Sequence, residues 1–371
     1  LNGFPTMCIL AFVRCCLRAM KGNEVIGEAA ILAGVDFFAG YPITPQTEMM
    51  EYISRRLPEE GKIFIQAESE VASSNMILGA AVGGARAMTA TSGPGLALMA
   101  EVLSKAAIGR IPLVLVDVMR NFDGISPSQA DYNFLVKGLG HGGMRPFTVA
   151  PMTVQEAADL TLLLFEKAWE YCIPAVLLTD GMLGQLSEGV VLPEKVSNLP
   201  EPKYRVPNGK RGRDKFFQVY NVSYKGLSND DAYEACINDT VDMYTQWLDT
   251  EVRYEEYRME DAEYVIFSYG SAARICVDAV KSLRAEGIKA GMFRPITLFP
   301  FPEKQIEAIH GIKGAVTVEM AKPEQFFPDV ALHLERSIPL RRYSRSGGNV
   351  VISEEVAETV KSMIGELKRS M

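Results

Sequence analysis

Residues 112–119, Pro-Leu-Val-Leu-Val-Asp-Val-Met, constrain the fold more than any other stretch. A strand that is apolar on both faces must be covered on both, which is the condition of a parallel sheet with helices on each side. The same unit recurs along the chain. Short apolar runs at 35–39, 63–66, 86–91, 147–150 and 175–179 alternate with segments of helical periodicity. Helices are expected at 48–57, 70–83, 96–107, 129–139 and 153–171, with Thr47 and Thr153 as N-caps. Residues 21–191 therefore read as one α/β domain with a doubly wound, mainly parallel sheet.

After residue 191 the pattern changes. Charged, Tyr-rich sequence occupies 192–261, expected to be a linker with an embedded hairpin or helix, including an exposed helix over 242–256. A second α/β unit is expected over 262–371, with strands at 264–268, 289–293, 314–318 and 349–352 and a helix at the C-terminal end. Residues 1–20 match neither unit. Arg14 and Arg18 follow or interrupt the apolar residues there and no small-residue cleavage site follows, which argues against a secretory signal. This segment is expected to be a poorly ordered extension.

The chain has 371 residues, 48% apolar and 23% charged, with a net charge of −8. That balance disfavours nucleic acid and anionic membrane as partners, and no apolar run reaches bilayer-spanning length. Cys8, Cys15, Cys16, Cys172, Cys236 and Cys276 contain no C-x-x-C pair. They are expected to be reduced thiols in a cytoplasmic protein. His141, His310 and His333 are far apart in sequence and lack metal-ligand spacing, so no metal is expected on this chain.

Candidate chemistry gathers where strands end. Three junctions stand out: Gly40-Tyr41-Pro42-Ile43-Thr44-Pro45, Gln66-Ala67-Glu68-Ser69-Glu70, and Thr91-Ser92-Gly93-Pro94-Gly95. Ligands of open α/β sheets bind at the carboxyl ends of the strands. Glu68 and Glu70 lie at such a junction, where a helix N-terminus by itself favours carboxylates, so helix capping and a site role both account for them. Arg120 ends the most apolar strand and could pair bidentately with a carboxylate. There is no Walker loop, no dinucleotide fingerprint after the first strand and no G-x-S-x-G elbow.

Taken together in this order, and with Pro127-Ser128-Gln129-Ala130-Asp131-Tyr132 and the Gly138–Gly142 run, these motifs resemble the α subunit of 2-oxoacid:ferredoxin oxidoreductases, in particular the branched-chain (2-oxoisovalerate) type. The resemblance covers 20–371. It implies a thiamine-diphosphate-binding fold of the pyrimidine type, followed by a smaller transketolase-C-terminal-like domain. It also implies oxidative decarboxylation of a 2-oxoacid to an acyl-CoA, with ferredoxin as electron acceptor.

By the same resemblance, Glu70 is the carboxylate beside N1′ of the aminopyrimidine, with Glu68 as runner-up. Thr44 and Arg120 meet the substrate carboxylate, and Tyr41, Pro42, Ile43, Glu68, Ser92 and Gly93 line the cofactor. The chain has no Gly-Asp-Gly segment and no cluster-type cysteine spacing. The resemblance therefore implies a β subunit that supplies the Mg²⁺–diphosphate site and a [4Fe–4S] cluster. Two departures from the family pattern bear on substrate and interface: Asn121-Phe122-Asp123-Gly124 replaces a glycine-rich run, and the usual Asn and Gly are missing near 319–325. Competing readings are a 2-oxoglutarate or pyruvate enzyme of the same family, a simple thiamine-dependent decarboxylase, and a non-catalytic interaction subunit.

Overall fold

The structure, a computed structural model, describes residues 17–138, 140–193, 223–224 and 226–370. The first half runs β1 (Leu17–Lys21), α1 (Gly22–Leu32), β2 (Phe37–Gly40), α2 (Thr47–Glu59), β3 (Ile63–Gln66), α3 (Glu70–Val82), β4 (Ala87–Thr91), α4 (Gly93–Ile108), β5 (Leu113–Met119), α5 (Tyr132–Val136), β6 (Phe147–Val149), α6 (Val154–Tyr171), β7 (Pro174–Asp180), α7 (Gly181–Gln185) and β8 (Ser187–Val191). The second half runs β9 (Ser223–Tyr224), β10 (Leu227–Ser228), α8 (Asn229–Thr250), β11 (Tyr254–Tyr257), β12 (Tyr264–Ser268), α9 (Gly270–Ala285), β13 (Ala290–Pro295), β14 (Thr297–Phe299), α10 (Glu303–Glu307), β15 (Gly314–Glu319), α11 (Phe327–His333), β16 (Leu340–Ser344) and α12 (Ser353–Ser370).

Seven strands form the larger sheet in the order β14-β6-β7-β5-β4-β2-β3, parallel except for β14, which pairs antiparallel with β6. All of β5 is buried, as its apolar run requires. Its alternation divides two cores. Val114, Val116 and Val118 pack with residues of α1, α2 and α6, while Leu113, Leu115 and Met119 pack with residues of α3 and α4. Burying each such side chain contributes about 1.5–3 kcal/mol. The second sheet has the order β11-β13-β12-β15-β16, with β11 antiparallel.

Of the two N-caps expected from the sequence, one forms and one does not. Thr153 Oγ1 accepts from Glu156 N at 3.1 Å, as expected. Thr47 instead lies inside α2, and buried Gln46 occupies the cap position and donates from Nε2 to Tyr41 O. Gly93 and Pro94 belong to the first turn of α4, not to a preceding loop.

Five further expectations change. The helix expected over 129–139 shrinks to α5, because Gln129 spends both ends of its amide on the second domain: Nε2 donates to Tyr269 O and Oε1 accepts from Met320 N. Leu139 and residues 194–222 lie outside the described residues, as do residues 1–16 of the expected extension. Residues 17–20 are ordered in β1, which pairs antiparallel with β8. The exposed helix expected over 242–256 is α8, and it is anchored rather than exposed: Met243 and Trp247 are buried in the first domain's core, with Trp247 edge-on to Phe147 and Tyr171. Residues 254–257 form the edge strand β11, and β16 at 340–344 takes the place of the strand expected at 349–352.

Candidate active site

The parallel strands send their following loops to one edge of the sheet. The chain leaves β2 towards β3 but leaves β4 towards β5, so its direction reverses between the neighbours β2 and β4. Loops diverge there and a crevice opens. The loop 41–46 follows β2, residues 67–69 follow β3, Ser92 follows β4 and Arg120 follows β5.

Glu70 opens α3. Ser69 caps that helix, its Oγ accepting from Ala72 N at 3.1 Å, which fixes where the first turn begins. Glu70 is only 6% exposed. Its side chain lies against the first turn of α4, where an ideal Cβ on Gly95 would sit 2.6 Å from Glu70 Oε1 and 2.7 Å from Cγ. Only glycine permits that approach. Among the described residues no hydrogen bond is made to the Glu70 carboxylate. Glu68 is exposed in the loop before the helix, so the structure separates two carboxylates that the sequence leaves equivalent.

Thr44 and Arg120 are brought together. Arg120 Nη1 donates to the backbone oxygen of Thr44 at 2.8 Å, so the contact is with the Thr44 main chain and leaves its hydroxyl out. Arg120 also bridges Pro127, and Asn121 N donates to Ser126 O, which closes the loop after β5. Phe122 and Ile125 project from that loop, 89% and 61% exposed.

Tyr41, Pro42 and Ile43 form the mouth of the β2 loop. It is pinned from beneath by Gln46, and by Asn23, whose Nδ2 donates to Pro45 O at 2.9 Å. Ser92 is buried at the cap of α4, and among the described residues its hydroxyl has no partner. Next to it, an ideal Cβ on Gly93 would lie 3.0 Å from Asp131 Oδ1.

Three carboxyls at this edge are absent from the sequence-derived site. Asp117 is fully buried in β5, and burial, with the Asp131 carboxyl beside it, pushes its own carboxyl well above the ordinary aspartate range. Burial also raises Asp131, opposed by the hydrogen bond with Asp117 and by the Arg120 charge. Asp180 is raised by burial as well, against the pull of the Ser271 hydroxyl and the Leu183 and Met182 amides that it accepts from. The available signal is a lone acid inside an apolar strand: Asp117 within 113–119 and Asp180 at the end of 174–180. His310 and His333 face Glu335 and Glu307 in the second domain and take no part. Among the described residues no group of three His, Cys, Asp or Glu could hold a metal ion.

Residues 28–249 match the family model described as pyruvate flavodoxin/ferredoxin oxidoreductase, thiamine diphosphate binding, and residues 262–356 match pyruvate:ferredoxin oxidoreductase core domain II. A ketoisovalerate oxidoreductase subunit VorB from Methanothermobacter marburgensis is 40% identical over 355 residues, which cover 94% of this chain and 98% of that protein. A 2-oxoglutarate synthase subunit KorA from the same organism is 32% identical over 93% of this chain and 98% of its own. Among solved structures, a chain of 2-oxoglutarate:ferredoxin oxidoreductase from Magnetococcus marinus superimposes with a TM-score of 0.82 at 27% identity. That match covers 93% of this chain and 65% of the neighbour's.

Proposed function

Because the chain belongs to the 2-oxoacid:ferredoxin oxidoreductase family, we propose that it is the subunit that holds the aminopyrimidine of thiamine diphosphate in an enzyme that converts a branched-chain 2-oxoacid and CoA to an acyl-CoA and CO₂, passing two electrons to ferredoxin. A β subunit completes the site with the Mg²⁺–diphosphate contacts and a [4Fe–4S] cluster. The assembly works in the cytoplasm.

The residues at the sheet edge suit that group. Among the described residues the buried Glu70 carboxylate has no hydrogen-bond donor and the buried Ser92 hydroxyl has no partner, and Gly95 leaves room for Glu70. Tyr41, Pro42, Ile43, Ser92 and Gly93 would flank the ring, with Glu70 at N1′ and Glu68 outside. When bound, the cofactor supplies a carbanion-stabilising ylid; the protein supplies positioning and proton chemistry. Glu70 would hold the N1′ position and exchange a proton with it, in a setting that water reaches poorly. Arg120, held by the Thr44 carbonyl, offers its free edge to the substrate carboxylate.

The branched-chain assignment rests on the loop after Arg120. It exposes Phe122 and Ile125, and residues 121–128 contain no Lys or Arg that could meet a distal carboxylate. The higher identity to the ketoisovalerate subunit supports the same choice. The test is anaerobic reduction of a viologen dye by the chain co-expressed with its partner subunit, with CoA, thiamine diphosphate and Mg²⁺. 2-Oxoisovalerate, 2-oxoglutarate and pyruvate are run side by side. The highest kcat/KM is expected with 2-oxoisovalerate. A preference for 2-oxoglutarate would overturn the substrate assignment, and CoA-independent decarboxylation without dye reduction would overturn the class.

A further inference from the structure

Asp117 is the lone charged residue of β5 and is completely buried. Its parity along the strand matches Leu115 and Met119, so it faces α3 and α4. Among the described residues neither of its carboxyl oxygens has a hydrogen-bond donor, and a polar group beside it is the carboxyl of Asp131, whose buried Oδ2 likewise has none. Two buried carboxylates face to face cannot both ionise. Their contact is favourable only when one keeps a proton and donates it to the other.

The surroundings decide which one keeps it. Asp131 lies beside Gly93, the first residue of the 16-residue helix α4, and within the field of the Arg120 guanidinium. A helix N-terminus and a cation both favour a negative charge there. Asp117 has neither and sits deeper. The other titratable groups at this edge are Glu70, behind Gly95 on the same turn, and Asp180 and Tyr269, with the Tyr269 ring packed against Tyr132. None of these three is cationic.

We propose that Asp117 and Asp131 form a positioning pair for the active site: Asp117 holds the shared proton and donates it to Asp131, and the single negative charge on Asp131 orients Arg120 and seats the first turn of α4 beside Glu70. This rests on the roles given to Arg120 and Glu70 above. Asp131 also sits two residues after Gln129 and next to Tyr132, both tied to the second domain, with Tyr132 Oη donating to Asp329 Oδ2 at 2.6 Å. The pair thus couples domain docking to the geometry of the carboxylate anchor.

The experiment uses the assembled complex, labelled with ¹³C at the aspartate carboxyl carbon. In the infrared spectrum at neutral pH, a protonated-acid carbonyl band is expected in the wild type and not in Asp117→Asn. Kinetically, Asp117→Asn replaces the acid by a neutral donor and should lower kcat/KM about threefold, whereas Asp117→Ala, which leaves Asp131 undonated, should lower it about tenfold or more. Asp131→Asn should raise KM for the 2-oxoacid by about tenfold and move the acid limb of the pH profile. Absence of the band, or equal activity with Asn and Ala at 117, would overturn the proposal. Should Asp117→Ala fail to assemble, the band and the Asp131→Asn pH profile still decide it. If the wild-type complex turned over no 2-oxoacid, the functional reading would fall, and the band alone would decide whether the proton is shared.

Discussion

Glu70 and Gly95 are in contact across two helix N-termini: a Cβ on Gly95 would reach within 2.6 Å of Glu70 Oε1. The carboxylate therefore owes its position to the absence of a side chain on a different helix. Gly95→Ala should displace Glu70 together with the Thr91 hydroxyl, which lies nearer still to that Cβ, lowering kcat/KM at least tenfold and costing about 1–3 kcal/mol through overpacking. Kinetics of the complex and its denaturant midpoint check both. No change in either would mean that α4 does not set the Glu70 position.

Glu70→Gln keeps shape and volume but replaces the carboxyl by an amide. We expect turnover to drop at least a hundredfold, the scale of lost acid–base catalysis, while the subunits still co-purify. The opposite pattern, with Glu68→Gln as the inactive variant, would make the exposed carboxylate the reacting one.

Arg120→Ala removes a charge-assisted partner for the substrate carboxylate while leaving the proton chemistry at Glu70 in place. KM for the 2-oxoacid should rise about tenfold to a hundredfold, with a smaller effect on kcat. Steady-state kinetics with an unaltered KM would remove Arg120 from substrate binding.

The raised carboxyls predict a pH dependence of stability with a definite sign. Asp117 and Asp131 bind a proton more tightly in the folded state than at the ordinary aspartate value of 3.8. Their stabilising contribution is then complete below that value and is lost as pH rises through the raised values. Comparing denaturation midpoints of wild type and Asp117→Asn from pH 4 to 8, the variant should gain relative stability as pH increases. A constant difference across that range would show that Asp117 does not titrate abnormally.

Trp247 joins α8 to the first domain's core, with its ring against Phe147, Tyr171, Tyr244 and Phe299. Trp247→Ala should cost about 3–5 kcal/mol, as removal of a buried aromatic does. A loss under 1 kcal/mol, read from the unfolding midpoint, would mean that α8 is only loosely attached.

Much of the strand–helix framework was legible because each element satisfies a local rule. The run 112–119 has apolar residues on both faces, Thr153 precedes a helical pattern and accepts from its third amide, and Ser69 starts α3 where Glu70 was placed. These features depend on neighbours a few residues away. The expected helix over 129–139 did not form in full, because Gln129 answers to backbone groups 140 and 191 positions distant. From the sequence alone the helix within 192–261 looks exposed for the same kind of reason. Its acidic composition is that of its outer face, whereas the inner face, Ala232, Cys236, Thr240, Met243 and Trp247, keeps helical spacing but begins with small and polar residues, and only Met243 and Trp247 reach the first domain's core.

The site divides along the same line. Local sequence was enough to place Tyr41–Thr44, Glu68, Glu70, Ser92, Gly93 and Arg120 at strand ends, because the strand-to-helix junctions are local events. Which of Glu68 and Glu70 is buried, that Arg120 meets the Thr44 carbonyl, and that Asp117 faces Asp131 emerged only with the fold. Burial and pairing of charges depend on what the sheet order β5-β4-β2-β3 brings alongside, and that order is set by packing across the whole domain.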